Sequence, residues 1–184
     1  MIVAFDASTL IYLFDDKAAA PSDQSSGKVV DRCRDRIEHL IETLANARAK
    51  IIIPTPALAE VLVRAQEGAP ERLRILKSSK YFKIVPFDER AAVEFAAIQT
   101  VRQATGTRST TSPRAKAKFD DQIVAIAVVE GATELYSDDS DISKLAGSRM
   151  KVLGMTDLPL PPEDAQTDIF SLLPPGSQDV LEPE

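Results

Sequence analysis

The chain is poor in the residues that build zinc sites, disulfides and aromatic cores. Among its 184 residues there is one Cys (Cys33), one His (His39) and no Trp. A disulfide framework and a Cys/His zinc site are therefore excluded on ligand count. We expect Cys33 and His39 to be a packed thiol and a surface or interface side chain rather than catalysts. Aromatic residues make up only 5% of the chain, so the core must consist mainly of Ile, Val, Leu and Ala.

The chain also lacks a membrane-spanning run, a secretion signal and an excess of basic charge. Its longest apolar run, residues 123–129, is far shorter than the roughly 18 residues that span a membrane. Asp6 interrupts the N-terminal apolar residues, which argues against a signal peptide. We therefore expect a soluble cytoplasmic protein. The net charge of -6 means that binding to nucleic acid would need a local basic patch, or metal ions that offset the carboxylates.

Short apolar runs alternate with longer segments that have helical features. Apolar residues recur every three or four positions in the first long segment, and Thr55 followed by Pro56 predicts a helix start. The predicted strands are residues 2–5, 51–54, 82–85 and 134–137, with a weaker fifth at 150–154, and the predicted helices are 28–49, 55–67, 88–104 and 118–131. This alternation predicts an α/β fold of three layers, α/β/α, around a central parallel sheet of four to five strands.

Two segments do not fit this alternation. Residues 15–28 are polar and rich in small side chains, and we interpret them as a mobile insertion in a domain of residues 1–158. Residues 159–184 hold six of the twelve prolines and six acidic residues but no Lys or Arg. We expect this tail to be extended, with residues 168–174 able to dock on the domain or on a partner.

Carboxylates recur where the predicted sheet would bring them together. Parallel sheets bind ligands beyond the carboxyl ends of their strands. Asp6 follows the first strand and three aspartates follow the fourth, while the other acids lie on helices that reach the same edge. The acids are Asp6, Glu60, Asp120, Asp121, Asp138, Asp139 and Asp141. Clustered carboxylates repel one another unless protons or cations compensate them. Carboxylate oxygens without His or Cys suit Mg²⁺ or Mn²⁺, which points to hydrolysis of phosphodiester bonds.

Each acid also has a purely structural interpretation. Asp6 and Asp139 could cap helices, and Asp121 could owe its place to the dipole of the helix that it begins. A lone Glu60 would by default lie on a solvated helix face, although its neighbours make that segment apolar almost all round. Taken singly, each structural interpretation is at least as good as the functional one. Taken together, four such coincidences at matched places favour a shared site.

Three segments resemble the motifs of the PIN-domain ribonuclease family, which includes the VapC-like toxin nucleases. The segment "IVAFDASTLI" resembles the opening strand, acid and helix of that family, and "PTPALAEVLVR" resembles its second motif. The segment "DDQIVAIAVVEGATELYSDDSDI" resembles the third and fourth motifs together. The resemblance covers roughly residues 1–153 and implies a PIN-like nuclease domain within residues 1–158.

The resemblance implies which residues form the site. The metal-binding and catalytic acids would be Asp6, Glu60, Asp121 and Asp139, with Asp141 as a further metal ligand, and Ser8 and Ser137 would orient the site or contact substrate. Asp121 is preferred over Asp120, since adjacent residues differ by roughly 100° around a helix, and Asp138 would be a bystander. The implied activity is a Mg²⁺- or Mn²⁺-dependent ribonuclease that cleaves RNA with a metal-activated water. The suggested protein partners are an antitoxin and a second copy of the chain.

A basic segment without acidic residues precedes Asp120 and Asp121. Between Phe95 and Phe119 there are five basic residues and no acidic one: Arg102, Arg108, Arg114, Lys116 and Lys118. The middle of this segment is loop-like in composition. It would hold phosphates beside the cleavage site, or it is a solvated loop without a special role. No aromatic ladder for base stacking is present.

Two other functions remain open on the sequence alone. A phosphatase with an aspartyl nucleophile needs a second Asp two positions after the first, where this chain has Ser8. A non-catalytic module that binds RNA or protein would keep the fold without needing the complete set of acids.

Overall fold

The computed structural model describes residues 1–15, 17–23, 26–105 and 114–162, with the side chains of Thr105 and residues 114–116 excepted. Its centre is a five-stranded sheet with the order β3-β2-β1-β4-β5, in which every strand pairs in parallel. The strands are β1 (Ile2–Phe5), β2 (Lys50–Pro54), β3 (Phe82–Val85), β4 (Glu134–Tyr136) and β5 (Lys151–Leu153). The predicted α/β fold with a central parallel sheet is confirmed.

Seven helices accompany the sheet in the described part of the chain. They are α1 (Ala7–Phe14), α2 (Cys33–Asn46), α3 (Thr55–Ala65), α4 (Ala69–Ser78), α5 (Glu89–Thr105), α6 (Arg114–Val129) and α7 (Ser140–Ala146). Short 3₁₀ turns lie at Gln66–Gly68 and Met155–Asp157. None of the helices in these ranges is long and apolar enough to cross a membrane.

The structure differs from the four predicted helices in the start of α2 and in three additional helices, α1, α4 and α7. α2 begins at Cys33 rather than at residue 28, and the residues before it form an antiparallel bridge between Ser22 and Val29. This bridge joins Ser22, which lies in the segment that we interpreted as an insertion, to Val29, the residue that follows that segment. α4 has no counterpart among the predicted helices, because Leu76 is its one buried residue and a single buried position gives little periodicity.

The most deeply buried part of the core is formed by β1, β2 and α6. Residues 3–5 of β1 and residues 51–53 of β2 are fully buried, as are residues 123–125 of α6. Strands of a parallel sheet covered on both faces are expected to be continuously apolar. The apolar run at 123–129 has a similar cause, although it is helical. α6 is enclosed by its neighbours, which include β2, α3, α5 and α7.

The order of the strands creates a crevice between β1 and β4. From β1 the chain proceeds to β2 and β3 on one side of the sheet, and later to β4 and β5 on the other. Such a switch point leaves a crevice at the carboxyl ends of the two strands that flank it. Phe5 pairs with Tyr136 in this register, so the residues that follow them, Asp6 and Ser137, lie side by side at this edge.

The end of the described chain is fastened to α2. Leu158 is buried, and its carbonyl oxygen accepts a hydrogen bond from Nη1 of Arg36. Nη2 of Arg36 is also 3.0 Å from Oδ1 of Asp31. The predicted domain boundary at residue 158 stays a prediction. Residues 163–184, with the proposed docking segment 168–174, lie outside the described residues.

Candidate functional site

Asp6 lies at the centre of a hydrogen-bond network at the switch point. Its side chain is buried, and its Oδ2 accepts hydrogen bonds from Oγ of Ser137 over 2.8 Å and from Oγ of Ser8 over 3.1 Å. Ser8 lies in the first turn of α1, and its Oγ also accepts from the backbone N–H of Asp138 over 3.3 Å. Both serines thus connect Asp6 to the segment that follows β4.

Asp139 is connected to Asp6 through Ser137. The backbone N–H of Asp139 donates to Oγ of Ser137 over 3.1 Å, the same hydroxyl that donates to Asp6. The Asp139 carboxylate caps α7 by accepting from the backbone N–H of Asp141 over 2.7 Å. A capping aspartate has a fixed rotamer, so the acid is held in place beside the crevice. The structural role as a cap and a functional role are compatible in this residue.

Burial and a neighbouring charge shift the titration of Asp6. Removal of the carboxylate from water raises the pKa of Asp6, hydrogen bonds from Ser137, the Ala7 backbone and Ser8 oppose this, and the negative charge of Asp139 raises the pKa further. Asp6 and Asp139 are therefore electrostatically coupled. A cation at this position would stabilise both ionised carboxylates.

Asp138 is directed toward a different part of the molecule. Its Oδ1 accepts from the backbone N–H of Met155 over 2.7 Å, and it hydrogen-bonds to the hydroxyl of Tyr12, whose pKa is raised by burial and by this acid. A Cβ at Gly154 would lie 2.9 Å from the same Oδ1. Asp138 thus holds the turn after β5 against the end of β4, and its assignment as a bystander stays a prediction.

Asp120 and Asp121 are equally buried, each with 3% of its surface exposed. Asp121 contacts α5: its Oδ1 is 2.6 Å from Nη1 of Arg102, and its Oδ2 accepts from Nε2 of Gln99. Burial raises the pKa of Asp121, while the Arg102 charge and both hydrogen bonds lower it. The preference for Asp121 over Asp120 stays a prediction, but both oxygens of Asp121 already have partners on α5.

The remaining predicted acids lie on α3 and α7. Glu60 is exposed on α3, and Asp141 is 3.2 Å from Nζ of Lys144, one turn further along α7. Within the described ranges, no three His, Cys, Asp or Glu side chains approach closely enough to hold a metal ion together. The structure therefore joins Asp6 to Asp139 and does not gather all of the predicted ligands.

This pair of acids has the donor chemistry of a magnesium site. Mg²⁺ usually keeps several waters and is held by one or two carboxylates together with phosphate oxygens of the substrate. Asp6 and Asp139 would supply two hard oxygen ligands to such an ion, and the burial of Asp6 gives a reason for a compensating cation. A cluster of three protein acids is not required.

The predicted substrate-binding cations lie mostly outside the described residues. Arg108 falls in the undescribed segment, as do the side chains of Arg114 and Lys116. Lys118 is exposed on α6, on the turn that leads to the two buried aspartates. Arg102 belongs to the same basic segment in sequence, yet it contacts Asp121.

Sequence reasoning missed the contacts that Arg102 and Gln99 make with Asp121. These residues lie on different helices, and no spacing rule relates side chains across such a connection. Cys33, by contrast, is partly buried and donates to the carbonyl of Val30, and His39 is half-buried on the same helix. Their predicted lack of a catalytic role stays a prediction.

Comparison with known proteins identifies a family for most of the chain. The family model of the PIN domain matches residues 28–148, a range that begins after Asp6 and includes Glu60, both buried aspartates of α6 and the acids after β4. No curated protein matches the chain in sequence.

Solved structures with a similar fold include several bacterial proteins. VapBC2 from Rickettsia felis, bound to a DNA fragment from its promoter, aligns with a TM-score of 0.59 and 17% identity, covering 84% of this chain and 98% of that chain. FitAcB from Neisseria gonorrhoeae aligns with a TM-score of 0.55 and 16% identity over 86% and 100% of the two chains. VapC20 from Mycobacterium tuberculosis, described as a sarcin–ricin loop cleaving toxin, has a TM-score of 0.54 and 12% identity over 81% and 98%. At these identities the similarity shows a common fold.

Proposed function

The chain belongs to the PIN-domain family, and from this premise we propose that it is a divalent-metal-dependent endoribonuclease, the toxin of a toxin–antitoxin pair. The observation that carries the proposal is the link between Asp6 and Asp139 through Ser137 at the sheet's switch point. It places two coupled carboxylates where parallel α/β folds bind their ligands.

Asp6 and Asp139 are the proposed ligands of a Mg²⁺ or Mn²⁺ ion. A divalent cation held by these acids would supply activation of a water and neutralisation of charge on the phosphate that is cleaved. Ser137 and Ser8 keep the Asp6 carboxylate in one orientation by donating to its Oδ2. Glu60 and Asp141 are proposed as additional acids of the site, reached from α3 and α7. One of the adjacent acids on α6 completes it: Asp121 was chosen from the sequence, whereas its contacts with α5 favour Asp120.

The proposed substrate is RNA, bound through its phosphates. Lys118 is exposed on α6 close to the two buried aspartates, and Arg108, Arg114 and Lys116 precede it in the sequence. Cations beside the acidic site would position the backbone without reading the bases. The description of VapC20 as a toxin that cleaves the sarcin–ricin loop supports RNA as the class of substrate.

The proposed partners are an antitoxin and a second copy of the chain. The fold is shared with VapBC2, FitAcB and VapBC-1 and with VapC20, which is described as a toxin, and this supports an antitoxin as a partner. If the chain is a toxin, its expression alone should arrest growth, and expression of Asp6→Asn should not. Normal growth with the native chain would contradict the toxin role while leaving the nuclease role to be judged in vitro.

A cleavage assay with a matched pair of variants tests the nuclease. The purified chain is incubated with RNA and with DNA, in Mg²⁺, in Mn²⁺ and in EDTA. The native chain should cleave RNA only with a divalent ion, and Asp6→Asn should not cleave at all. Asp35→Asn removes a carboxylate from an exposed ion pair on α2 and should retain full activity. Equal cleavage by native chain and Asp6→Asn, or cleavage that persists in EDTA, would contradict the proposal.

A further inference from the structure

We infer that Gln99 and Arg102 are positioning residues of the acidic site, which hold Asp121 so that Asp120 is the acid presented at the edge of the sheet. The inference rests on the proposed function, because that edge is the proposed metal site. It assigns different roles to two adjacent aspartates, and it gives α5 a role in the activity.

The first observation that supports this inference is that both carboxylate oxygens of Asp121 contact α5. Arg102 and Gln99 each bind a different oxygen of its carboxylate. The side chains of Arg102 and Asp121 are 17% and 4% exposed, so this ion pair is largely shielded from water. Breaking a buried pair by removal of one partner is strongly unfavourable, since it leaves an uncompensated buried charge. The carboxylate of Asp121 is therefore held by its two partners on α5.

The second observation that supports the inference is the direction in which α6 runs relative to β4. α6 ends at Val129, shortly before β4 begins at Glu134, so its C-terminal end is near the amino end of β4. Its earlier turns, with Asp120 and Asp121, are therefore toward the carboxyl end, where Asp139 caps α7. Adjacent residues of a helix differ by about 100° in direction. With Asp121 facing α5, Asp120 is turned toward a different neighbour, and α6 also packs against α3 and α7.

The composition of the first turns of α6 shows why such a contact is needed. Lys118 and Phe119 are exposed, the latter by 43%. The continuous buried apolar residues begin only at Ile123. Hydrophobic packing therefore fixes the second half of the helix, and the contacts of Asp121 with α5 fix the turn that carries Asp120.

The test compares Arg102→Met with a matched control on the same helix. Arg90→Met also removes an arginine of α5 that contacts the end of α6, through the Val129 carbonyl over 2.8 Å, but at the far end of the helix. Mn²⁺ affinity is measured by electron paramagnetic resonance. RNA cleavage is measured as a function of the Mn²⁺ concentration, and the concentration that gives half the maximal rate is compared between variants. Local order is measured by hydrogen exchange of residues 117–123. Gln99→Leu serves as a second variant that keeps the ion pair.

Arg102→Met should weaken Mn²⁺ binding by about 10- to 100-fold, the range for partners that orient metal ligands, with the rate at saturating Mn²⁺ retained. Exchange at 117–123 should accelerate, Gln99→Leu should show the same effects more weakly, and Arg102→Lys should restore much of the affinity. Arg90→Met should behave as the native chain. Asp120→Asn should abolish Mn²⁺ binding, whereas Asp121→Asn should resemble Arg102→Met.

Two results would overturn the inference: equal exchange and Mn²⁺ affinity in Arg102→Met and Arg90→Met, or loss of Mn²⁺ binding in Asp121→Asn but not in Asp120→Asn. Failure of the proposed function is recognised separately, because the native chain would then bind no Mn²⁺ at all. In that case exchange at residues 117–123 alone decides whether Arg102 and Gln99 fix this turn.

Discussion

Ser137 donates a hydrogen bond to Asp6 over 2.8 Å, although the two residues are 131 positions apart in the chain. Each directly follows a strand, and the strands are neighbours in the sheet. The same Ser137 hydroxyl accepts from the backbone of Asp139. One buried hydroxyl therefore sets the relative position of the two acids on which the proposed function rests.

Replacement of Asp6 by Asn should stabilise the protein at neutral pH while it removes activity. The folded state raises the pKa of Asp6 above its ordinary value of 3.8, so the ionised carboxylate opposes folding at pH 7. Stability associated with this group is present below pH 3.8 and is lost as the pH rises through the higher pKa of the folded state. In EDTA at pH 7, we expect the melting temperature of Asp6→Asn to exceed that of the native chain by at least about 2 °C.

The same pair of proteins gives the control for that prediction. The difference in melting temperature should shrink toward zero as the pH falls below the ordinary pKa of 3.8, because Asp6 then becomes protonated in both the folded and the unfolded state. Added Mn²⁺ should raise the melting temperature of the native chain and leave Asp6→Asn unchanged, since a ligand stabilises only the state that binds it. A lower melting temperature for Asp6→Asn at pH 7 would contradict the assigned pKa direction.

Ser137→Ala should harm the site more than Ser8→Ala. Ser137 is buried and serves both Asp6 and Asp139, whereas Ser8 is only partly buried. Loss of a hydrogen-bond partner for buried groups costs about 1–3 kcal/mol in the free energy of unfolding. We expect that cost in urea unfolding of Ser137→Ala, together with weaker Mn²⁺ binding. Ser78→Ala, which removes an exposed hydroxyl bonded to the Ile75 carbonyl, is the control, and a ranking of Ser8 above Ser137 would contradict the network.

Gly154→Ala should destabilise the turn after β5 through Asp138. The added Cβ would lie 2.9 Å from Oδ1 of Asp138, which is too close for two unbonded atoms. Forcing an extra group into a well-packed place typically costs about 1–3 kcal/mol. Asp138→Ala should also destabilise, because the Met155 N–H loses its acceptor. The double variant should lose less stability than the sum of the single losses, and strict additivity in urea unfolding would argue against the clash.

Arg36→Met should loosen the end of the described chain. Its side chain is only 15% exposed and binds the Leu158 carbonyl and Asp31. Hydrogen bonds to charged groups contribute about 1.5–3 kcal/mol, and we expect a loss of that order in the free energy of unfolding, with faster hydrogen exchange at residues 155–162. Arg34→Met on the same helix removes an exposed pair with Glu38 and should change little. Equal effects of the two variants would show that the Arg36 contact does not hold this segment.

The strands and the edge at which Asp6 and Ser137 meet were predictable because buried parallel strands are continuously apolar. Residues 2–5 and 82–85 were predicted with the bounds that the structure gives to β1 and β3. The direction of helical side chains was not predictable in the same way. The apolar composition around Glu60 suggested burial, yet α3 buries one face only, and Val63 is 78% exposed on the other. Which residues of a helix face the core is decided by packing against partners distant in sequence.

The contacts of Asp121 show a second reason why the site could not be predicted fully from the sequence. Arg102 was grouped with other cations because a sequence displays charge along one dimension. Its partner Asp121 follows 19 positions later on another helix, beyond the reach of the spacing rules for a single helix. Only the packing of α5 on α6 assigns this arginine to an acid.

The position of the switch point has a consequence for the order in which activity arises during synthesis. Asp6 leaves the ribosome well before Ser137 and Asp139, which follow only after the first four strands have been made. The pairing of β4 with β1 is the step that joins them. A nascent or truncated chain that ends before β4 therefore contains Asp6 but neither Ser137 nor Asp139, and should be inert toward RNA.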